Sequence, residues 1–359
     1  MKHIFQGKNI EGILTVLPYT EVCFKDEVKN YPFPEKQTLR LAEVMGYEKR
    51  RLCGSCDSVS EYASWGIAEL VDEGLLDVSE VGAIVVVTTT PDYFTPPVSN
   101  LLHGRFHFSQ EVLCMDINQA CAGYMLGLMQ SFLLSDILPD KKILLVAGDL
   151  LSKKVSIHDR SSRPLIGDAV TISVIGHTSS EEKSYFMMKN DGTQSMALNI
   201  PAGGFKRPSD IESAIERQDE YGNFRALDHL KMDGEAVFNF VVHEVPDMVG
   251  SVLEYSGETK EDIDFYIFHQ PNKFILKKLA DELDIPEKKM PYNIVERFGN
   301  SSSASIPVNI CYNLAPDILN RGLKVCMAGF GAGLTWGSFV LQLAPMRFCK
   351  MINYEPVSE

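Results

Sequence analysis

Three side chains that can carry out chemistry recur at matching points of the chain, each just past a buried strand or at the start of a helix. They are Cys121, His269 in FHQPN and Asn300 in FGNSSSASIP. A thiolate at Cys121 can take an acyl group as a thioester, which divides one difficult transfer into two easier ones. His269 can hold a proton or donate a hydrogen bond near neutral pH. The Asn300 amide can donate at any pH.

A fourth element is the glycine-rich segment Gly329 to Ser338, GFGAGLTWGS. Its small residues allow close backbone approach, so one N–H there can face a reacting carbonyl. A phosphate-binding loop is not indicated, because the Lys-Ser/Thr ending is missing. Each signal alone has an ordinary structural explanation: a hydrogen-bonded buried His, a Gly-Asn turn, or a tight turn into the last strand. Their order and their topological places together make them specific.

Cys121 follows a short apolar strand, Val112 to Ile117, and we predict that a buried helix starts near it. From Ile117 to Ser135 the chain has no Asp, Glu, Lys or Arg, and apolar residues occur all round the helix. The unpaired N–H groups and the positive dipole end of such a helix are predicted to lower the thiol pKa and favour the thiolate. The alternative is that Cys121 is a small, inert core residue.

The composition bounds the class of protein. With 359 residues, 45% hydrophobic and 23% charged, the chain can bury a large core in one or two domains. A net charge of −14 argues against a nucleic-acid binder. Eight cysteines without a secretory signal predict reduced thiols and a cytoplasmic location. The apolar 117–135 stretch carries Asn118 and Gln119, so we predict a buried helix and no membrane association.

Strand-like and helix-like segments alternate, and two parts of the chain repeat each other. The corresponding pairs are AIVVVTTT with DFYIFHQ, the turn at Cys121 with the turn at Asn300, and KILLVAGD with KVCMAGFG. Alternation of this kind predicts an α/β protein with mostly parallel sheets. We predict two similar halves, 1–178 and 231–359, separated by an inserted hairpin and capping segment at 179–230. Their ligand site is expected at the strand ends where the halves meet.

Taken together, the motifs resemble those of the thiolase-fold condensing enzymes, most closely β-ketoacyl-acyl-carrier-protein synthase III. DINQACAGY is similar to that family's nucleophile motif, FHQPNKFI to its His motif, RFGNSSSASIP to its Asn motif, GFGAGLTWGS to its closing motif and LKMDGEAVFNF to the segment before its long helix. The resemblance covers about Ile10 to Leu343. It implies a five-layered α/β/α/β/α thiolase-like fold with two pseudo-symmetric halves. It also implies a homodimer in which the edge strand near Val112–Ile117 pairs across the interface.

The reaction that this resemblance implies is a decarboxylative Claisen condensation in fatty-acid or related secondary-metabolite biosynthesis. Cys121 would accept an acyl group, and malonyl-acyl-carrier protein would decarboxylate to a carbanion that attacks acyl-Cys121. His269 and Asn300 would bind the malonyl thioester carbonyl and stabilise the enolate as neutral donors. The backbone N–H groups of Cys121 and Ala332 would form the oxyanion hole. No metal or cofactor is implied, since coenzyme A or phosphopantetheine thioesters are the substrates.

The resemblance also implies contacts for the thioester arm and for its carrier. Asn272 would position the pantetheine arm, and Gly331 and Gly333 flank the oxyanion position. The family's carrier-protein Arg after the His motif is Phe274 here. The lysines that could replace it in contacting the acyl-carrier protein are Lys273, Lys277 and Lys278. Alternatively, these lysines form a solvated helix face.

Two departures from the family pattern concern the acyl donor. Arg40 and Val44 stand where the family has Trp and Arg for the coenzyme A adenine, which argues against an acetyl-coenzyme A primer. Thr95, which follows Phe94, stands where acetyl-selective enzymes carry Phe at the acyl pocket. A smaller residue leaves room, so we expect a longer or carrier-bound acyl chain. The 179–230 segment is expected to cap the acyl tunnel.

Other classes of protein share parts of this pattern. Papain-like cysteine proteases have the same Cys, His, Asn order, but their CGSCW-type signature is absent. A non-condensing acyltransferase of the same fold would move an acyl group to an amine or hydroxyl. Such enzymes often lose the His or the Asn, and both are kept here. A non-catalytic partner subunit of this fold would be expected to lose Cys121.

Overall fold

A computed structural model describes residues 1–355 of the chain. The strands are β1 (Lys2–Gln6), β2 (Lys8–Leu17), β3 (Glu21–Cys23), β4 (Lys49–Arg51), β5 (Val81–Val87), β6 (Leu113–Ile117), β7 (Lys142–Asp149), β8 (Ala169–His177), β9 (Lys183–Asn190), β10 (Leu198–Asn199), β11 (Arg217–Gln218), β12 (Phe224–Arg225), β13 (Lys231–Met232), β14 (Phe265–Phe268), β15 (Leu323–Gly331), β16 (Thr335–Leu343) and β17 (Phe348–Asn353). 

The α-helices are α1 (Phe24–Glu27), α2 (Glu35–Met45), α3 (Val59–Asp72), α4 (Val98–Arg105), α5 (Gly123–Ile137), α6 (Gly234–Ser256), α7 (Lys273–Leu283), α8 (Ile294–Phe298), α9 (Ser305–Asn309) and α10 (Ala315–Ile318). Short 3-10 helices span Val28–Asn30, Val78–Glu80, Leu151–Lys154, Gly192–Ala197, Glu287–Lys289 and Ser302–Ala304, and a π-helix spans Ile310–Leu314.

Two large sheets organise the molecule. The first has the order β17-β2-β8-β7-β5-β6 and the second β1-β9-β16-β15-β14. In the first sheet, β17·β2, β7·β5 and β5·β6 are parallel, whereas β2·β8 and β7·β8 are antiparallel. In the second sheet only β14·β15 is parallel. The prediction of mostly parallel sheets therefore holds for the first sheet, where three of five pairs are parallel, and is wrong for the second, where one of four is. Parallel pairing needs a long crossover, and residues 332–334 alone join β15 to β16.

Helix α5 lies between the two sheets. Its Tyr124, Leu128 and Phe132 are fully buried in one cluster with Val85 of the first sheet and Phe339 of the second. Helix α9 shares this central layer, while α3 and α4 cover the outer face of the first sheet and α6 and α7 that of the second. The order of layers is α/β/α/β/α, which confirms the predicted fold class and the predicted burial of the helix after Cys121.

The first strand of the chain belongs to the second sheet, and the last strand belongs to the first sheet. Strand β1 pairs with β9 in the second sheet, and β17 pairs with β2 in the first. The sequence pattern did not predict β17. The inserted segment predicted at 179–230 is also too long, because its residues 183–190 form β9, which pairs with both β1 and β16. The part that follows β9 forms the small ladders β10·β13 and β11·β12.

Helix α6 is the one helix within residues 1–355 that has the length and apolar composition of a membrane span. Seven of its side chains are nevertheless buried against the second sheet and α7: Phe240, Val241, Val245, Met248, Val249, Val252 and Leu253. The helix begins at Asp233, whose carboxylate accepts the Ala236 N–H at 3.0 Å, and it ends at Gly257, where φ is 75°. Such packing is typical of the core helix of a globular protein.

Candidate active site

Cys121 lies in the turn between β6 and α5, just before the first helical residue, Gly123. The end of β15 comes against it. A Cβ atom at Gly331 would lie 2.7 Å from Cys121 Cβ and 3.3 Å from its Sγ. Glycine at this position therefore allows the second sheet to approach the thiol. The glycine-rich segment thus provides close backbone approach, which is what its composition predicted.

The protein around Cys121 favours the neutral thiol. Although part of the residue is accessible to solvent, desolvation raises the pKa of the thiol to about 12. The Ser302 hydroxyl, 3.8 Å from Sγ, acts in the opposite direction, and the Asp149 carboxylate raises the pKa further. The net shift is therefore opposite to the predicted lowering of the pKa, because desolvation outweighs the hydrogen bonds of the Ser302 hydroxyl and the Cys121 backbone, which act to lower it.

His269 follows β14, and its backbone N–H donates to the Ala328 carbonyl at 2.8 Å. The ring is buried, with Nδ1 2.7 Å from the Ser305 hydroxyl. Desolvation lowers the pKa of His269 to about 3, and a hydrogen bond with the Ser302 backbone only partly offsets this. The lowered pKa favours the neutral imidazole at physiological pH, and a neutral imidazole keeps one N–H that can donate to a developing enolate.

Asn300 is held by both its backbone and its side chain. Its N–H donates to the Leu165 carbonyl at 2.8 Å, and its own carbonyl accepts the Gly167 N–H at 3.1 Å. The side-chain oxygen Oδ1 accepts the Ser302 N–H at 2.9 Å. With Oδ1 occupied, the amide Nδ2 is the end of the side chain that is left to donate to a substrate.

Ser302 is the residue at which the three predicted catalytic side chains meet. Its hydroxyl contacts Cys121 Sγ at 3.8 Å and its N–H binds Asn300 Oδ1 at 2.9 Å, and its backbone acts to raise the pKa of His269. It is buried and has a φ of 52°, a left-handed conformation that is uncommon outside glycine. The structure thus brings Cys121, His269 and Asn300 to one place.

Asn300 is the only residue of this motif for which the sequence predicted a role, and the hydroxyls that follow it were not predicted. Ser302 contacts Cys121, the Ser303 hydroxyl donates to Asp149 at 3.1 Å, and Ser305 contacts His269. The run SSSAS was the available signal. Four serines in five residues at a buried helix start can supply hydrogen bonds to polar groups that are withdrawn from water.

Three other residues with predicted roles at the site, Ala332, Gly333 and Asn272, have the following contacts and backbone conformations. Ala332 follows Gly331 directly, and its carbonyl accepts the Gln119 side-chain N–H at 2.9 Å. Gly333 comes next in the same turn, with a φ of 135°. Asn272 is buried and caps α7, because its Oδ1 accepts the Ile275 N–H at 2.9 Å. The roles of Cys121 and Ala332 as an oxyanion hole and of Asn272 toward pantetheine stay predictions.

The predicted carrier contacts lie on helix α7. Lys273 Nζ is 2.5 Å from the Glu296 carboxylate, so its charge is already paired within the chain. Lys277 and Lys278 are exposed. Phe274, at the position of the family's Arg, is 36% exposed and stacks on Phe238 at 5.6 Å. Two of the three lysines are therefore available to a partner.

A cavity of about 1290 Å³ has Asn118, three residues before Cys121, in its wall, but none of the three predicted catalytic side chains. Its wall contains Thr89, Thr90, Phe94, Thr95, Asn118, Leu150 and, from the segment after β9, Ile200, Ala202, Gly203, Gly204 and Ser209. Thr89 of this wall is linked to the serine run by hydrogen bonds, because its N–H donates to Asp149 at 2.7 Å and Asp149 also accepts from the Ser303 hydroxyl. Arg40 is exposed on α2 and is not part of the cavity wall.

Comparison with known proteins identifies the family to which the chain is similar. The family model for the 3-oxoacyl-[acyl-carrier-protein] synthase III C terminus matches residues 253–343, and that for 3-oxoacyl-[acyl-carrier-protein] synthase III matches 115–192. A Campylobacter jejuni protein assigned as 3-oxoacyl-[acyl-carrier-protein] synthase 3 is 33% identical over 360 residues, which cover 99% of each chain. The β-ketoacyl-[acyl-carrier-protein] synthase III of Latilactobacillus sakei is 32% identical over 277 residues, 76% of this chain and 81% of the relative.

The fold of the chain is also similar to that of a solved structure over nearly its whole length. The 3-oxoacyl-(acyl-carrier protein) synthase of Burkholderia xenovorans LB400 has a TM-score of 0.91, 29% sequence identity and 99% coverage of both chains. The fold and site define a thiolase-fold acyltransferase. The chain belongs to the 3-oxoacyl-[acyl-carrier-protein] synthase III family of condensing enzymes. This confirms the resemblance seen in the motifs.

Proposed function

We propose that the chain condenses an acyl thioester with malonyl-acyl-carrier protein by decarboxylative Claisen condensation, giving a β-ketoacyl thioester in fatty-acid or related secondary-metabolite biosynthesis. The observation that carries the proposal is the meeting of a thiol, a neutral imidazole and an amide around Ser302. One nucleophile and two uncharged donors are the groups that this reaction needs.

The first half-reaction is acyl transfer to Cys121. The sulfur attacks the thioester carbonyl, and the backbone N–H groups of Cys121 and Ala332 stabilise the oxyanion. The bond from the carbonyl carbon to the donor sulfur then breaks, and the proton of the thiol leaves with the donor thiol. Because the thiol pKa is raised to about 12, the thiolate forms only as the thioester reacts.

The second half-reaction forms the carbon–carbon bond. Loss of carbon dioxide from the malonyl thioester leaves its electron pair as an enolate, whose oxygen receives hydrogen bonds from His269 and Asn300. The enolate carbon attacks the acyl-Cys121 carbonyl, and the carbon–sulfur bond breaks to release the Cys121 thiolate, which takes up a proton. Burial keeps His269 uncharged, so the enolate is stabilised without a cation that must first be desolvated.

The acyl donor is proposed to be a longer or carrier-bound chain. Thr95 and Phe94 line a cavity of about 1290 Å³, which also includes Ile200 from the segment after β9. Phe94 lies 5.5 Å from Phe205 of the same segment, so this segment covers one side of the cavity. The arrangement supports the capping role expected from the sequence.

The proposed carrier partner is an acidic acyl-carrier protein that contacts Lys277 and Lys278 on α7. We also propose a homodimer, because β6 is an unpaired edge of the first sheet and its Leu113 is 42% exposed. Free thiols at all eight cysteines support a cytoplasmic location. No metal or cofactor enters the proposed reaction.

Intact-mass spectrometry tests the proposal directly. The protein is incubated with acyl-coenzyme A and acyl-carrier thioesters of increasing length, and then with malonyl-acyl-carrier protein. We expect an acyl adduct on Cys121 that disappears as a β-ketoacyl thioester forms. The Cys121→Ala variant serves as the control and should show no adduct. An adduct that is discharged only to an amine or hydroxyl would instead support a non-condensing acyltransferase, and full activity of Cys121→Ala would refute the covalent mechanism.

A further inference from the structure

Ser305, the first residue of α9, is in contact with the imidazole of His269. Its Oγ lies 2.7 Å from His269 Nδ1, and the backbone N–H of Gln270 donates to the same oxygen at 3.3 Å. Ser305 has no solvent exposure and His269 is 2% exposed. Neither group can therefore exchange these partners for bulk water.

The direction of these two hydrogen bonds follows from the donors present. A backbone N–H can only donate, so Ser305 Oγ is an acceptor toward Gln270. The hydroxyl proton then needs an acceptor of its own. Within residues 1–355, the other hydrogen-bond contact of this hydroxyl is His269 Nδ1. A proton on Nδ1 would instead leave the buried Ser305 hydroxyl without an acceptor, which is unfavourable.

We propose that Ser305 is a positioning residue that holds His269 in the tautomer with its proton on Nε2. The catalytic consequence of this tautomer rests on the proposed function: in the condensation reaction, Nε2–H donates to the malonyl thioester oxygen. Ser305 itself does not touch the substrate. It acts through the imidazole by accepting from the Gln270 N–H and donating to Nδ1, so that the ring is both oriented and correctly protonated.

Nitrogen-15 NMR of the histidine side chains measures this tautomer directly. The protein is labelled at its eight histidines, and His269 is assigned by the signals lost in His269→Gln. At neutral pH we expect the wild-type His269 to carry its proton on Nε2. In Ser305→Ala we expect a mixture of tautomers or a shift toward the proton on Nδ1. A wild-type ring protonated on Nδ1 would overturn the proposal.

Kinetics separate positioning from a merely structural effect. In Ser305→Ala, acylation of Cys121 should stay within about twofold of wild type, while condensation with malonyl-acyl-carrier protein should fall by about tenfold or more, as expected when a transition-state donor is weakened. Ser305→Thr keeps the hydroxyl and should restore both the tautomer and the condensation rate. Unchanged tautomer and unchanged condensation in Ser305→Ala would refute the inference. Because the NMR measurement requires no turnover, a wild-type protein that has the proton on Nε2 but does not condense would contradict the proposed function and not the tautomer assignment.

Discussion

Replacing Gly331 by alanine should slow acylation of Cys121 while leaving the fold intact. The added Cβ would lie 2.7 Å from Cys121 Cβ, whereas ordinary contacts begin at 3.4 Å. Cys121 or the end of β15 must therefore move by about 0.7 Å. Displacing a reacting atom by about 1 Å can cost about 100-fold in rate, so we expect acylation to slow by one to two orders of magnitude, that is, about 10- to 100-fold.

The effect on stability should be smaller than the effect on rate. Overpacking a well-packed site typically costs about 1–3 kcal/mol of unfolding free energy. Cys121 is only partly buried, so some of the strain can relax by a shift of this residue. The acylation rate is measured by intact mass under single-turnover conditions, and stability by urea unfolding. Gly250→Ala on α6 is the matched control, because its Cβ would meet nothing within 4 Å. Acylation of Gly331→Ala at the wild-type rate would refute the close-approach argument.

Four further predictions concern the site. Because the Cys121 pKa is raised to about 12, its alkylation by iodoacetamide should rise about tenfold per pH unit between pH 7 and 10; a plateau near neutral pH would show a stabilised thiolate instead. Ser302→Ala removes the hydroxyl that lowers this pKa, so alkylation should be slower than wild type at each pH in that range, and an equal or faster rate would argue against the Ser302 contact. The His269 pKa is lowered from 6.5 to about 3, so the unfolded chain binds the extra proton first and stability should fall as the pH drops through this window, by up to about 1.4 kcal/mol per pH unit. His269→Gln should lose that component in urea unfolding, and an identical pH dependence would contradict the neutral buried ring. Thr95→Phe should narrow the cavity, shifting mass-detected acylation toward shorter chains, and an unchanged chain-length profile would remove Thr95 from the acyl pocket.

Some of the site could be predicted because its signals are local. The uncharged stretch 117–135 predicted a buried helix, and α5, which begins at Gly123, is enclosed by both sheets. The small residues at Gly331 and its neighbours indicated close approach, and Gly331 does contact Cys121. The order of the Cys, His and Asn motifs indicated the family, to which the chain belongs.

Other features depend on contacts between distant parts of the chain. The pairing of β1 with β9 and of β17 with β2 joins residues that are far apart in the sequence, so no local pattern reveals it. The same holds for Ser302 and Ser305, whose roles arise from their positions against Cys121 and His269. A run of serines by itself is equally compatible with a surface turn.

The types of the reacting groups, a thiol, an imidazole and an amide, were determined by the sequence alone, because side-chain chemistry is covalent and needs no fold. Their protonation states were decided by the tertiary structure. Desolvation raises the pKa of Cys121 to about 12 and lowers that of His269 to about 3, reversing the expectation for the thiol. Desolvation depends on every neighbour that excludes water from a group, and in this protein those neighbours come from both halves of the chain.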